Sequence, residues 1–156
     1  MRTITIGEII TDLDKTIPLR WQESYDNAGL LCGNKEEKCT GIYVCFDISE
    51  SVVEKTIANN CNLIVSHHPL VFRAMKRFTS KDNVTTTLLK AITNNIALYS
   101  AHTNLDAANP GVNTILANKL GIRNIRPLCE DTRTNEEGFF GIGGIGELEE
   151  ATELKE

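Results

Sequence analysis

The stretch "IYVCFDISESVVEKTIANNCNLIVSHHP", residues 42–69, decides the fold. It opens on a continuous apolar run, Ile42 to Phe46, that ends at Asp47. It closes on a second run, Leu63 to Ser66, that stops at two adjacent histidines and Pro69. Between them, "SVVEKTIANN" offers an S-x-x-E box at Ser51 and Glu54, which opens a short helix. Strands that are apolar throughout belong to a parallel sheet covered on both faces, and a helix between two of them is the crossover that parallel pairing requires.

The same alternation continues toward the C-terminus. "DNVTTTLLKAITNN" from Asp82 predicts a helix with Val84, Leu88, Leu89 and Ile92 on one stripe, and "IALYSAH" from Ile96 predicts the third strand. "NPGVNTILANKLG" from Asn109 predicts a further helix, with Val112, Ile115, Leu116 and Leu120 turned inward and Gly121 as its stop. Toward the N-terminus, Thr5 and Glu8 form a capping box for a helix whose apolar face is Ile6, Ile9, Ile10, Leu13 and Ile17, ended by Pro18. "WQESYDNAGLLCGN" from Trp21 is rich in Asp, Asn and Gly and reads as loop. The expected fold class is therefore α/β: a single domain over residues 1–156, in the order β-α-β-α-β-α, with a mostly parallel sheet between helices on both faces.

Bulk composition narrows the function. A chain of 156 residues can bury a real core, and 41% apolar with 24% charged residues excludes wholesale disorder. A net charge of −5 and a pI near 5.3 are the wrong sign for a phosphate-backbone binder, so nucleic acid is not an expected partner. The basic run "FRAMKRFTSK" from Phe72, with Arg73, Lys76, Arg77 and Lys81, reads as a solvated loop. No apolar stretch approaches a membrane span, and Glu8 and Asp12 fall where a signal peptide needs apolar residues; a cytoplasmic, membrane-free protein is expected. The cysteines Cys32, Cys39, Cys45, Cys61 and Cys129 contain no C-x-x-C pair and read as small core or edge residues.

In open α/β sheets ligands bind beyond the carboxyl ends of the strands. Asp47, His67, His68, His102 and Asp106 all follow such ends, so one rim receives all of them. Imidazole with carboxylate suits zinc, iron or manganese. Successive residues of an extended chain point to opposite sides. His67 and His68 are therefore not expected to chelate one ion together: either one is a ligand and the other a packing residue, or each serves a different metal. The bland alternative is a histidine pair that caps the strand end on backbone carbonyls.

Two other motifs carry less. "GIGGIG", Gly141 to Gly146, satisfies G-x-G-x-x-G, but only ten residues follow it, too few for a βαβ unit; a glycine-rich strand over "GFFGIGGIGEL" is expected instead. Ser66 beside His67 lacks the G-x-S-x-G elbow of a nucleophile.

"YDNAGLLCG", "LIVSHHPLVF" and "HTNLDAANPGVN", in that order, resemble the NGG-one-interacting-factor-three-like family, often labelled GTP cyclohydrolase I type 2 homologues. The resemblance runs from Ile6 to about Leu148 and implies toroidal hexamers, and hence a homo-oligomer, with two divalent metals per subunit. It implies that His67, His68 and Asp106 are metal ligands, and that His102 and Asp47 support them or face a substrate. Tyr25 stands where the family usually has tryptophan, and Gly144 where it is often basic. Family members are commonly longer and complete the site with a C-terminal His and Glu, whereas no histidine follows His102 here. The expectation is a metal-dependent hydrolase of a purine nucleotide such as GTP, impaired by that shortening. The alternative is a non-catalytic protein-interaction or regulatory protein.

Overall fold

The computed structural model describes residues 3–129, 131, 133 and 136–150. A four-stranded sheet lies at its centre, in the order β1 (Gly29–Cys32), β4 (Ala97–Ser100), β3 (Leu63–Ser66), β2 (Ile42–Cys45). β2, β3 and β4 run parallel, and β1 closes the edge antiparallel to β4. The helices are α1 (Ile6–Thr16), α2 (Glu50–Ala58), α3 (Asn83–Thr93), α4 (Thr103–Asp106) and α5 (Val112–Lys119). A separate ribbon pairs β5 (Arg123–Pro127) with β6 (Gly144–Glu147).

The sheet residues alternate between two cores. Leu63, Ala97 and Tyr99 pack with Ile6, Ile10, Ile17 and Trp21 on the α1 face. Ile64 and Leu98 pack with Val53, Leu88 and Ala91 on the α2–α3 face. Both faces are covered over β3 and β4, which are apolar up to Ser66 and Ser100, whereas the edge strand β2 leaves Ile42 and Val44 exposed; each fully buried Leu or Ile stabilises the fold by roughly 1.5–3 kcal/mol. α2 and α3 share a face because both crossovers step the same way across the sheet with the usual right hand.

α1 starts as its sequence predicts: the Thr5 hydroxyl accepts from the Glu8 N–H at 3.2 Å, and the Thr5 N–H donates to Glu8 Oε2 at 2.9 Å. α2 starts earlier than expected. Its cap is Ser49, whose Oγ accepts from the Val52 N–H, while Ser51 lies inside the first turn and shares a hydrogen bond with Ser49. The stripe assigned to α3 is rotated. Thr85, Thr87, Leu88 and Ala91 are buried, while Val84 and Ile92 face outward. The Thr85 hydroxyl donates to the Asp82 carbonyl, so its methyl can pack as an apolar group. α5 is turned the other way altogether: Val112, Ile115, Leu116 and Leu120 are 39–58% exposed, and Thr114 and Ala117 face inward.

Four elements were not expected, among them the short helix α4. β1 sits inside the segment read as loop, a single 3-10 turn spans Leu19–Trp21, and β5 pairs with the glycine-rich segment. That segment forms a strand only from Gly144 to Glu147, and among the described residues no helix follows it. Four cysteines are half-buried and Cys129 is exposed; all five are free thiols. Among the described residues, no helix is long and apolar enough to cross a membrane.

Candidate metal centre

Register brings the site together. Cys45 pairs with Ser66, and Ser66 with Ser100, so the three parallel strands end level. The chain then bends immediately after β3. The buried Ser66 hydroxyl lies 2.9 Å from the His68 carbonyl oxygen and 3.0 Å from Ser100 Oγ, which anchors the turn. His67 and His68 therefore escape the pleat that would have sent them apart. Their rings stand 4.9 Å centroid to centroid, and one nitrogen from each, together with one from His102, all lie within 4.8 Å of one another. The same two bonds occupy the Ser66 hydroxyl in the core, away from any role as an open nucleophile.

His102 follows β4 and heads the short helix α4. The Asp106 N–H donates to the His102 carbonyl at 3.1 Å, which puts the two side chains one turn apart on the same side. Asp106 Oδ1 then lies 3.7 Å from His67 Nε2. That is too long for a hydrogen bond. It suits two ligands of one ion, since groups each about 2 Å from a metal stand roughly 3–4 Å apart.

Each imidazole is held by its other nitrogen. His67 Nδ1 lies 3.0 Å from the Ala101 carbonyl oxygen, His68 Nδ1 2.7 Å from Asp47 Oδ1, and His102 Nδ1 2.7 Å from Asp26 Oδ1. A carbonyl can only accept, so His67 Nδ1 carries the proton, and in the neutral ring Nε2 carries the lone pair. A carboxylate partner imposes the same tautomer on His68 and His102. Nδ1–H bonded to an oxygen with Nε2 bare is the usual preparation of a metal-ligating histidine.

The electrostatics follow from burial and hydrogen bonding. Burial raises the Asp106 carboxyl above the usual carboxylate range, against the attraction of His67 and His102 and with repulsion from Asp26. A cation beside it would reverse that shift. Asp26 is also buried, which alone would raise it, but hydrogen bonds from Thr103, His102 and the Asn27 N–H hold it below the usual range. Two exposed aromatic rings flank the histidines. Phe46 stacks on His67 at 5.1 Å and meets His68 edge-on, and Phe72 stands edge-on to His102 at 6.1 Å.

Of the residues singled out from sequence, His67, His68, His102, Asp106 and Asp47 all reach this rim. His102 belongs to the imidazole cluster itself as well as attracting Asp106, whose N–H bonds its carbonyl. Sequence reasoning missed Asp26, which sits in "YDNAG" and holds His102 and Thr103, and it missed the rings of Phe46 and Phe72.

Residues 4–156 match the family model described as Duf34/NIF3 (NGG1p interacting factor 3). The chain belongs to this family. A GTP cyclohydrolase 1 type 2 homolog from Clostridium acetobutylicum is 32% identical over 99% of this chain and 57% of its own length. One from Staphylococcus epidermidis is 42% identical over 88% of this chain and 36% of its own. The crystal structure of a Bacillus cereus protein related to NIF3 superposes with a TM-score of 0.80 at 32% identity, covering 84% of this chain and 36% of that one. The chain thus spans between about a third and somewhat over half the length of these relatives.

Proposed function

We propose that this NIF3-family chain is a metal-binding protein in which His67, His68, His102 and Asp106 hold a divalent ion, zinc, iron or manganese, and that the site serves a metal-dependent hydrolase. The observation that carries this reading is the set of three imidazole nitrogens within 4.8 Å of one another, each ring pinned through Nδ1. A bound ion would lower the pKa of water toward neutrality and polarise a substrate oxygen. The chain's own residues prepare the site. Ala101, Asp47 and Asp26 keep Nε2 unprotonated, Asp106 supplies negative charge, and Phe46 and Phe72 pack against the imidazole rings. The substrate class that the relatives' name supports is a purine nucleotide such as GTP. Self-association is part of the proposal, favoured by the exposed apolar face of α5.

Metal analysis by mass spectrometry tests the reading. The parent chain should retain divalent metal after dialysis, while His67→Ala, His68→Ala and His102→Ala should each lose most of it with an unchanged far-UV circular dichroism spectrum. Unchanged metal content in all three variants would overturn the assignment. Full metal occupancy with no GTP turnover would instead favour a protein-interaction role.

A further inference from the structure

We infer that the loop running from Phe72 to Lys81 is the phosphate-recognition element of the histidine site: Arg73, Lys76 and Arg77 hold the phosphate groups of an anionic substrate whose organic part lies against Phe72. This rests on the site being the metal centre proposed above. The start of the loop is tied beside that site. At its start, Asn27 Nδ2 donates to the Val71 carbonyl at 2.6 Å, and Phe72 meets His102 edge-on. Further along, Phe78 lines a cavity of about 310 Å³ that runs from Asn27 and Val71 to Cys32, Leu88 and Ile92, between β1 and α3. Asn27 is the chain neighbour of Asp26, the residue that holds His102. Arg73 directly follows Phe72, and Lys76 and Arg77 lie four and five residues on, so their Cα atoms are at most roughly 15–19 Å from that of Phe72 along the chain. Long Arg and Lys side chains cover part of that distance back.

The charges on the loop are segregated and unspent. In a chain of net charge −5, residues 69–81 carry Arg73, Lys76, Arg77 and Lys81 and no acidic residue. All four are exposed, and among the described residues none of them enters an ion pair. The next carboxylate, Asp82, is already committed, accepting from the Thr85 N–H at the start of α3. A merely solvated loop gains nothing from four like charges within nine residues, which repel one another, or from the exposed rings of Phe72 and Phe78. The histidines, by contrast, are surrounded by Asp26, Asp47 and Asp106, a poor environment for phosphate. Charge alone therefore orients a phosphorylated substrate: its phosphates go to the loop and its reacting group to the imidazoles. Arginine at two of the three positions suits paired hydrogen bonds to phosphate oxygens.

Titration calorimetry of the 156-residue chain at low ionic strength, metal-loaded and metal-stripped, with GTP, guanosine and inorganic tripolyphosphate as probes, tests the inference. GTP and tripolyphosphate should bind in both forms, guanosine should bind at least about tenfold more weakly than GTP, and added salt should weaken only the phosphorylated probes. The variant R73A/K76A/R77A should lose about tenfold or more in affinity for both phosphorylated probes while keeping its metal content. A control with charge reversals elsewhere, K35E/K55E/K119E, should lose much less. Parent-like binding by R73A/K76A/R77A, no binding of either phosphorylated probe to the parent, or loss of metal from that variant would each overturn the inference. Tripolyphosphate binding to the stripped protein is read without metal, so failure of the metal assignment and failure of the loop assignment are distinguished.

Discussion

Asp26 Oδ1 lies 2.7 Å from His102 Nδ1, joining residues 76 positions apart. The Asp26 side chain has no exposure to solvent, and its second oxygen accepts from the Thr103 N–H and hydroxyl. A loop residue ahead of β1 thereby fixes the tautomer of a histidine beyond β4. Replacing it with asparagine keeps the shape but removes the obligatory acceptor, so the amide can donate to Nδ1 and move the ring proton to Nε2. We expect Asp26→Asn to weaken metal binding about 10–100-fold, with circular dichroism unchanged. Unaltered affinity, measured by competition with a chelating dye, would remove His102 from the ligand set.

The central sheet was readable from the apolar runs ending at Phe46, Ser66 and Ser100; burial on both faces explains the last two, while β2 is apolar although Ile42, Val44 and Phe46 are exposed at the sheet edge. β1 was not readable because a strand of four residues between "DNA" and "GN" carries turn chemistry at both ends, and Gly29 and Gly33 both adopt positive φ. Periodicity located α5 and its stripe, but it does not say which side of a helix the rest of the chain covers. Level strand ends made the histidine rim foreseeable. The turn anchored by Ser66, which lets adjacent histidines share one side, depends on a partner on β4 and has no signature in local spacing.

Gly111 marks where close approach is needed. A Cβ at this position would lie 2.3 Å from the Ala108 carbonyl oxygen and 2.4 Å from that of Leu105, both backbone atoms within two residues of Asp106. Neither can give way without moving α4 or the two residues that follow it. Gly111→Ala should cost on the order of 1–3 kcal/mol in urea denaturation and should lower metal affinity as well, because Asp106 moves with its helix. A variant as stable as the parent would show that α4 is softer than this packing requires.

Glu136 ties the C-terminal ribbon segment to the core: Trp21 Nε1 donates to its Oε2 at 2.8 Å, and Arg20 Nε to the same oxygen at 2.9 Å. These donors, Trp21 first, hold the Glu136 carboxyl below the usual range. A folded-state pKa below the unfolded one stabilises the fold above the unfolded value, and that contribution disappears as pH falls through the folded value. Glu136→Gln still accepts from Trp21 but carries no charge. With metal removed, urea curves followed by the single tryptophan should show the parent more stable than Glu136→Gln at neutral pH. The two should converge as the pH falls below about 4.3. A difference independent of pH would mean that the charge does not contribute.

Val112, Ile115, Leu116 and Leu120 recur at the spacing that aligns side chains along one helix face, and all four are exposed. Scattered exposed leucines are ordinary, but four on one face form a contiguous apolar patch of the kind that marks an interaction surface. The edge strand β2 is a competing surface, with Val44 75% exposed and a row of unpaired backbone groups. The two differ in how they respond to substitution. If α5 carries the contact, Leu116→Glu with Leu120→Glu should turn the associated species into a monomer by light scattering, while Val44→Lys leaves it intact. The opposite pattern would assign the contact to the sheet edge. A parent chain that stays monomeric at high concentration would mean that neither surface is used between copies, and that the apolar face of α5 serves some other partner.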